Sequence, residues 1–109
     1  MAEEIFGFIG CGNMGSALAR AVGRTIPGQR LLLSNRSPEK ARALAEDLGA
    51  AVGSNAQLAA ESDYLFLGVK PQMMADLLAR LRPILSRRQE GFVLVSMAAG
   101  LTIAQIQHF

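Results

Sequence analysis

Ile5-Phe6-Gly7-Phe8-Ile9-Gly10-Cys11-Gly12-Asn13-Met14-Gly15 decides the fold. Its first part is a short apolar run ending in glycine, the pattern of a strand buried on both faces of a parallel sheet. Its second part is a complete G-x-G-x-x-G. Apolar residues at helical spacing follow at once: Leu18, Ala21 and Val22, in a segment from Met14 to Arg24. Each glycine has its own physical task. Gly10 permits a tight turn out of the strand, Gly12 leaves no side chain in the path of a pyrophosphate, and Gly15 lets the helix lie close to the sheet. The N–H groups and positive dipole end of the helix then attract phosphate. A bare G-x-G-x-x-G is a weak signal, and a ligand-free glycine turn is the alternative. The strand before it and the helix after it are what the dinucleotide-binding mechanism requires.

Outward from this loop, strand-like and helix-like segments alternate. Leu31-Leu32-Leu33-Ser34 predicts a second buried strand. Ser37 then caps a helix with Pro38 at its first position, and Gly49 ends that helix after Leu48. Ala51-Val52 predicts a third strand, and Asn55 the cap of a small helix ending near Glu61. Tyr64 to Val69 is a fourth, strongly apolar strand. Pro71 opens a helix over Gln72 to Leu81 with Pro83 just beyond it, and Phe92 to Ser96 is a fifth strand. Such alternation implies parallel strands, right-handed crossovers and helices on both faces. The expected class is α/β: a Rossmann-type, doubly wound parallel sheet in three α/β/α layers.

Length and composition agree. The 109 residues suit one domain, 1–109. With 50% apolar and 18% charged residues the chain can bury a core and is not of the disordered class. After Gly100, Thr102 and Gln105 form a capping-box pattern. Leu101, Ile103, Ile106 and Phe109 supply an apolar face, so a helix from 102 starts and is cut short. The expectation is a fragment, or a protein whose second domain lies elsewhere. The alternative is a short closing helix.

Charge and special residues exclude several classes. The net charge is +2, and Arg80, Arg82, Arg87 and Arg88 are the nearest approach to a basic block. They read as a solvated helix end and loop. Clustering with interleaved aromatics, as nucleic-acid binding wants, is missing. One cysteine, Cys11, excludes an intrachain disulfide. There is no signal-peptide pattern, and no apolar run approaches the ~18–20 residues of a membrane helix. The expectation is a cytoplasmic chain with neither membrane nor nucleic-acid partners. Cys11 has no activating neighbour in sequence and reads as a small filler. His108 reads as a solvated residue near the chain end. No His/Cys/Asp cluster has metal-ligand spacing. No catalytic residue and no metal are therefore assigned.

The second strand speaks to the cofactor. NAD sites usually carry Asp or Glu at its end, about 20 residues past the loop. Here Ser34 fills that place, 19 residues after Gly15, and Asn35, Arg36 and Ser37 follow. No carboxylate repels a 2′-phosphate, and a guanidinium can bind one through two hydrogen bonds. NADP(H) is the expected preference, with NAD(H) also possible. The plain alternative is that Arg36 is a solvated turn residue.

Four motifs in order give a more specific match. Gly7-Phe8-Ile9-Gly10-Cys11-Gly12-Asn13-Met14-Gly15, Ser34-Asn35-Arg36, Val69-Lys70-Pro71-Gln72 and Ser96-Met97-Ala98-Ala99-Gly100 together resemble the N-terminal part of pyrroline-5-carboxylate reductases. The resemblance implies NAD(P)H-dependent reduction of 1-pyrroline-5-carboxylate to proline. It implies that Gly10, Cys11, Gly12, Asn13, Met14 and Gly15 hold the pyrophosphate. Ser34, Asn35 and Arg36 would hold the adenosine ribose and its phosphate, with Asn55 near the adenosine half. Val69, Lys70, Pro71, Ala98 and Ala99 would line the ribose and nicotinamide. Lys70 has a surface lysine as its plain reading, and Met73 and Met74 read as packing residues. The family's second, all-helical domain forms its homo-oligomer and completes its substrate site. That domain is expected to lie outside this chain, which should bind cofactor with little or no turnover. Two rival readings remain. One is a related NADP oxidoreductase, deazaflavin-dependent or of the β-hydroxyacid dehydrogenase kind. The other is a non-catalytic dinucleotide-binding module.

Overall fold

In the computed structural model residues 4–10, 12–88 and 91–96 are described. The strands are β1 (Phe6–Ile9), β2 (Leu31–Ser34), β3 (Ala51–Val52), β4 (Tyr64–Leu67) and β5 (Val93–Ser96). The helices are α1 (Asn13–Gly23), α2 (Pro38–Leu48), α3 (Asn55–Glu61) and α4 (Pro71–Ser86). The five strands are parallel in the order β3-β2-β1-β4-β5, a Rossmann-type sheet. Ile9 is level with Ser34 on one side and with Leu67 on the other, so β1, β2 and β4 end together. The helix expected from 102 lies outside the described residues.

The strands lack an apolar/polar alternation because both sheet faces are covered. Phe8, Leu31 and Leu33 pack beneath α1 and α2 against Ala19, Ala41, Leu44 and Ala45. Ile9, Leu32, Leu65, Leu67 and Leu94 pack on the other face. There they meet Leu58 and Ala59 of α3 and Met74, Leu77, Leu81 and Leu85 of α4. Each fully buried Leu of this kind contributes about 1.5–3 kcal/mol through loss of water contact. Neighbouring strands also stack aromatic rings in register. Phe8 lies over Phe66 at 4.8 Å and Phe6 over Tyr64 at 5.0 Å.

Three local expectations are corrected. The fourth helix does not stop at Leu81 but runs to Ser86, through Pro83. Pro83 removes one helical hydrogen bond, at a cost of about 3 kcal/mol in an ordinary interior. The seam Met74, Leu77, Leu81, Leu85 repeats on one face and is buried throughout, so packing carries the helix past the exposed proline. Met73 is not a packing residue: it is 41% exposed, because it stands about 100° round the helix from Met74. Arg88 is not a solvated charge. Its Nη1 donates to Ala59 O at 2.9 Å and to Ser62 O, and its guanidinium lies 4.9 Å from the Phe92 ring. It clasps the end of α4 to the last carbonyls of α3, where a cation is favoured.

Arg80, by contrast, pairs with Asp76 at 3.2 Å in solvent. We expect Arg88→Ala to cost about 2 kcal/mol, since it strips charge-assisted bonds from two carbonyls. Arg80→Ala should cost less than about 0.5 kcal/mol. Urea unfolding of the two variants checks the difference.

Candidate functional site

The carboxyl ends of β1, β2, β3 and β4 open at one edge of the sheet. The chain leaves β1 for β2 on one side and returns to β4 on the other, which makes the β1–β4 junction the topological switch point, where such sheets bind ligands. Backbone hydrogen bonds hold these ends together. Gly10 N donates to Ser34 O at 2.8 Å, Gly68 N to Ile9 O at 2.7 Å and Gly53 N to Leu33 O at 3.0 Å.

The glycine loop divides its tasks as its spacing predicts. Gly10 has φ +96°, and a Cβ there would stand 2.6 Å from Gly68 O. The turn thus needs glycine for its backbone angle and for its closeness to the β4 loop. At Gly12 a Cβ would meet nothing within 4 Å. Gly12 caps α1 without any side-chain bond, and the first turn of α1 holds no acidic residue. The first N–H groups of a helix have no acceptor within it. Open space above Gly12, uncapped N–H groups and the helix dipole together fit a diphosphate. Gly15 is buried where α1 approaches the sheet, and Asn13 and Met14 begin that helix. Cys11, Ala98 and Ala99 lie outside the described residues.

At the end of β2, Ser34 is 6% exposed and its hydroxyl donates to Asn55 Oδ1 at 2.5 Å. Asn35 Nδ2 donates to Ser37 O at 3.1 Å and braces the turn into α2. Arg36 is exposed. Asn55 does not cap α3, as its spacing predicts; it is the first residue of that helix. The cap is Ser54, whose Oγ accepts from Gln57 N at 3.1 Å. Ser54-x-x-Gln57 is itself a capping-box pattern, so the signal was in the sequence. At the end of β4, Val69 is half-buried against the α4-side core. Lys70 is exposed as the cap residue of α4, and Pro71 opens that helix.

The structure thus brings the described candidates of the β1, β2, β3 and β4 loops to one edge. Their residues 34–37, 53–55 and 68–71 include Arg36 and Lys70 and no carboxylate. Tyr64 stands at the opposite end of β4. Its phenol is held above its usual pKa by a hydrogen bond with Glu4, then by the charge of Glu4, burial and Asp63. A shallow groove lined by Arg42, Ala45, Glu46, Gly49, Ala50 and Val52 runs beside the second half of α2 and β3. Among the described residues no three His, Cys, Asp or Glu gather as metal ligands would, and no helix is long and apolar enough to cross a membrane.

A family model described as NADP oxidoreductase, coenzyme F420-dependent, matches residues 5–100. The chain belongs to this family. Within it, the chain is 38% identical over 108 residues to a pyrroline-5-carboxylate reductase of Escherichia coli (strain K12), across 95% of this chain and 39% of that relative. A solved pyrroline-5-carboxylate reductase from Coxiella burnetii superposes with a TM-score of 0.82 at 28% identity, over 98% of this chain and 40% of that one. The Plasmodium falciparum pyrroline carboxylate reductase with NADP bound superposes with a TM-score of 0.72 at 28% identity, over 99% and 38%. The resemblance carried by the four motifs is therefore matched by the names of these relatives, and the chain spans 39% of the length of the E. coli relative.

The two loop glycines should separate in stability. Gly10→Ala forces a side chain into positive φ and against a backbone carbonyl, at a cost of about 2–4 kcal/mol. Gly12→Ala, a mere change of cap residue, should cost less than about 1 kcal/mol. Thermal unfolding of both variants tests this.

Proposed function

We propose that this chain is the NADP(H)-binding domain of a pyrroline-5-carboxylate reductase, which reduces 1-pyrroline-5-carboxylate to L-proline in proline biosynthesis. The observation that carries the reading is the cradle between β1 and α1. There Gly12 faces open space beside uncapped N–H groups, next to a β2 end that bears Arg36 and no carboxylate. In this reading Gly10, Cys11, Gly12, Asn13, Met14 and Gly15 hold the diphosphate through backbone N–H groups. Ser34, Asn35 and Arg36 hold the adenosine ribose and its 2′-phosphate, with Asn55 beside them. Val69, Lys70, Pro71, Ala98 and Ala99 line the ribose and nicotinamide at the switch point.

When bound, the nicotinamide supplies the hydride. The chain positions it and excludes competing geometries. A protonated cyclic imine is already electrophilic at carbon, so the reaction requires no protein nucleophile, and no catalytic side chain is assigned. In the full-length enzyme a helical domain would complete the substrate site and join the subunits into a homo-oligomer, in the cytoplasm. NADP(H) is the preferred cofactor and NAD(H) the weaker alternative.

Fluorescence titration of NADPH and NADH into the chain tests the reading. Saturable binding with NADPH favoured is expected. Gly12→Glu should abolish saturation while the melting temperature stays within a few degrees, and Arg36→Ala should weaken NADPH about tenfold with less effect on NADH. Absence of saturable binding by the folded wild type overturns the proposal. The family's description favours a second reading, an NADP oxidoreductase working with a deazaflavin. Assay of the full-length protein separates them: oxidation of NADPH by 1-pyrroline-5-carboxylate supports the first, and by a deazaflavin alone the second.

A further inference from the structure

Strand β3 is an edge of the sheet. It pairs with β2 on one side, and among the described residues nothing pairs with it on the other. Gly53 gives its N–H inward, to Leu33 O. Successive residues of a strand turn their backbone groups to opposite sides, so the N–H and C=O of Val52 point outward. Such an edge is a template for another strand, and proteins commonly blunt it with a charge or a proline. Here both strand residues, Ala51 and Val52, are exposed and apolar. Val52 is 41% exposed and borders the shallow groove beside α2.

The other wall of that groove is one face of α2. Arg42, Ala45, Glu46 and Gly49 recur along it at the spacing that aligns residues on a helix. Ala45 is buried, and a Cβ at Gly49 would meet nothing within 4 Å, so a second helix has room to approach. Arg42 and Glu46 are exposed and stand one turn apart. Arg before Glu is the poorer order for a pair within one helix. Between two antiparallel copies the same spacing is self-complementary: Arg42 of each copy faces Glu46 of the other.

We propose that β3 and α2 form a two-fold interface with a second copy of this chain. The axis stands normal to the sheet, beside Val52. The Val52 residues of the two copies exchange both N–H···O bonds as one antiparallel pair. The same axis sets α2 antiparallel to its copy on one face of the joined sheet. α2 packs on β2 and β3 alike. A helix midway between them stands about 5 Å from an axis half a strand spacing beyond β3. The two helices then lie about 10 Å apart, an ordinary packing distance. Since β3 has only two residues, its backbone supplies one bonded pair and the helix faces supply the rest. The joined strands run in opposite directions, so the two crevices open at opposite ends. This contact is separate from the helical-domain association proposed above and does not depend on the cofactor reading. An interface of this extent belongs to the small, weak class, with a dissociation constant of about 0.1 mM.

Small-angle scattering of the chain from about 20 μM to about 1 mM spans that constant. The mass should rise from that of one chain, 11.6 kDa, towards twice that value. Arg42→Glu sets like charges against each other in both contacts, and so does Glu46→Arg. Each alone should weaken the dimer at least about tenfold. An equimolar mixture of the two variants regains both attractions, as does the double variant Arg42→Glu/Glu46→Arg. Both should associate within about threefold of wild type, a rescue that only a self-complementary two-fold contact gives. Val52→Pro removes the outward N–H where an edge strand tolerates proline, and should abolish association while the melting temperature stays within a few degrees. The charge variants, on an exposed helix face, keep the test decisive if that variant does not fold. A wild type still monomeric at about 1 mM overturns the proposal. So does a dimer that the two single reversals leave intact, as one formed elsewhere on the chain would be, or a mixture of the two that stays monomeric.

Discussion

The described crevice depends on the way β1 is tied between its neighbours at its last residues. Gly10 N reaches Ser34 O on one side, and Ile9 O receives Gly68 N on the other. These two bonds continue the parallel ladder by one step beyond the strands. They fix the loops after β2, β1 and β4 in a common register. The second of them brings the β4 loop so close that only a residue without a side chain fits at Gly10. Both are backbone bonds, so the position of these loops is set by main-chain geometry.

Much of this was legible in the sequence, for identifiable reasons. Strands such as Leu31–Ser34 and Tyr64–Leu67 stand out because a two-face burial demands uninterrupted apolar residues, bounded by turn formers. Gly10 and Gly12 could be given separate tasks because the motif's mechanism assigns one to the turn and one to ligand approach. The boundaries that failed did so where tertiary packing outweighs local preference. Pro83 ends helices in isolation, yet Leu81 and Leu85 on either side of it are buried against the sheet. Arg88 looks like any surface arginine until the fold carries the end of α3 beneath it. No spacing rule links residues 88 and 59.

The candidate site shows the same division. Its backbone parts were readable because glycine patterns encode them. Its side-chain chemistry was readable as composition, Ser34 and Arg36 in place of an acidic residue, but not as contact. The bond between Ser34 and Asn55 joins residues 21 positions apart that meet only because β2 and the start of α3 open onto the same edge. Asn55 was expected to cap α3 and is instead its first residue. Ser54 competes for the capping role and wins it through the Gln57 N–H.

Among the described residues the sheet also divides the buried apolar side chains into two separate clusters, one beneath α1 and α2 and one beneath α3 and α4. A cavity opened in one compartment is not relieved by repacking in the other, because the strand backbones stand between them as a stiff partition. The helical layers on the two faces can therefore diverge independently, so long as the strands between them are kept.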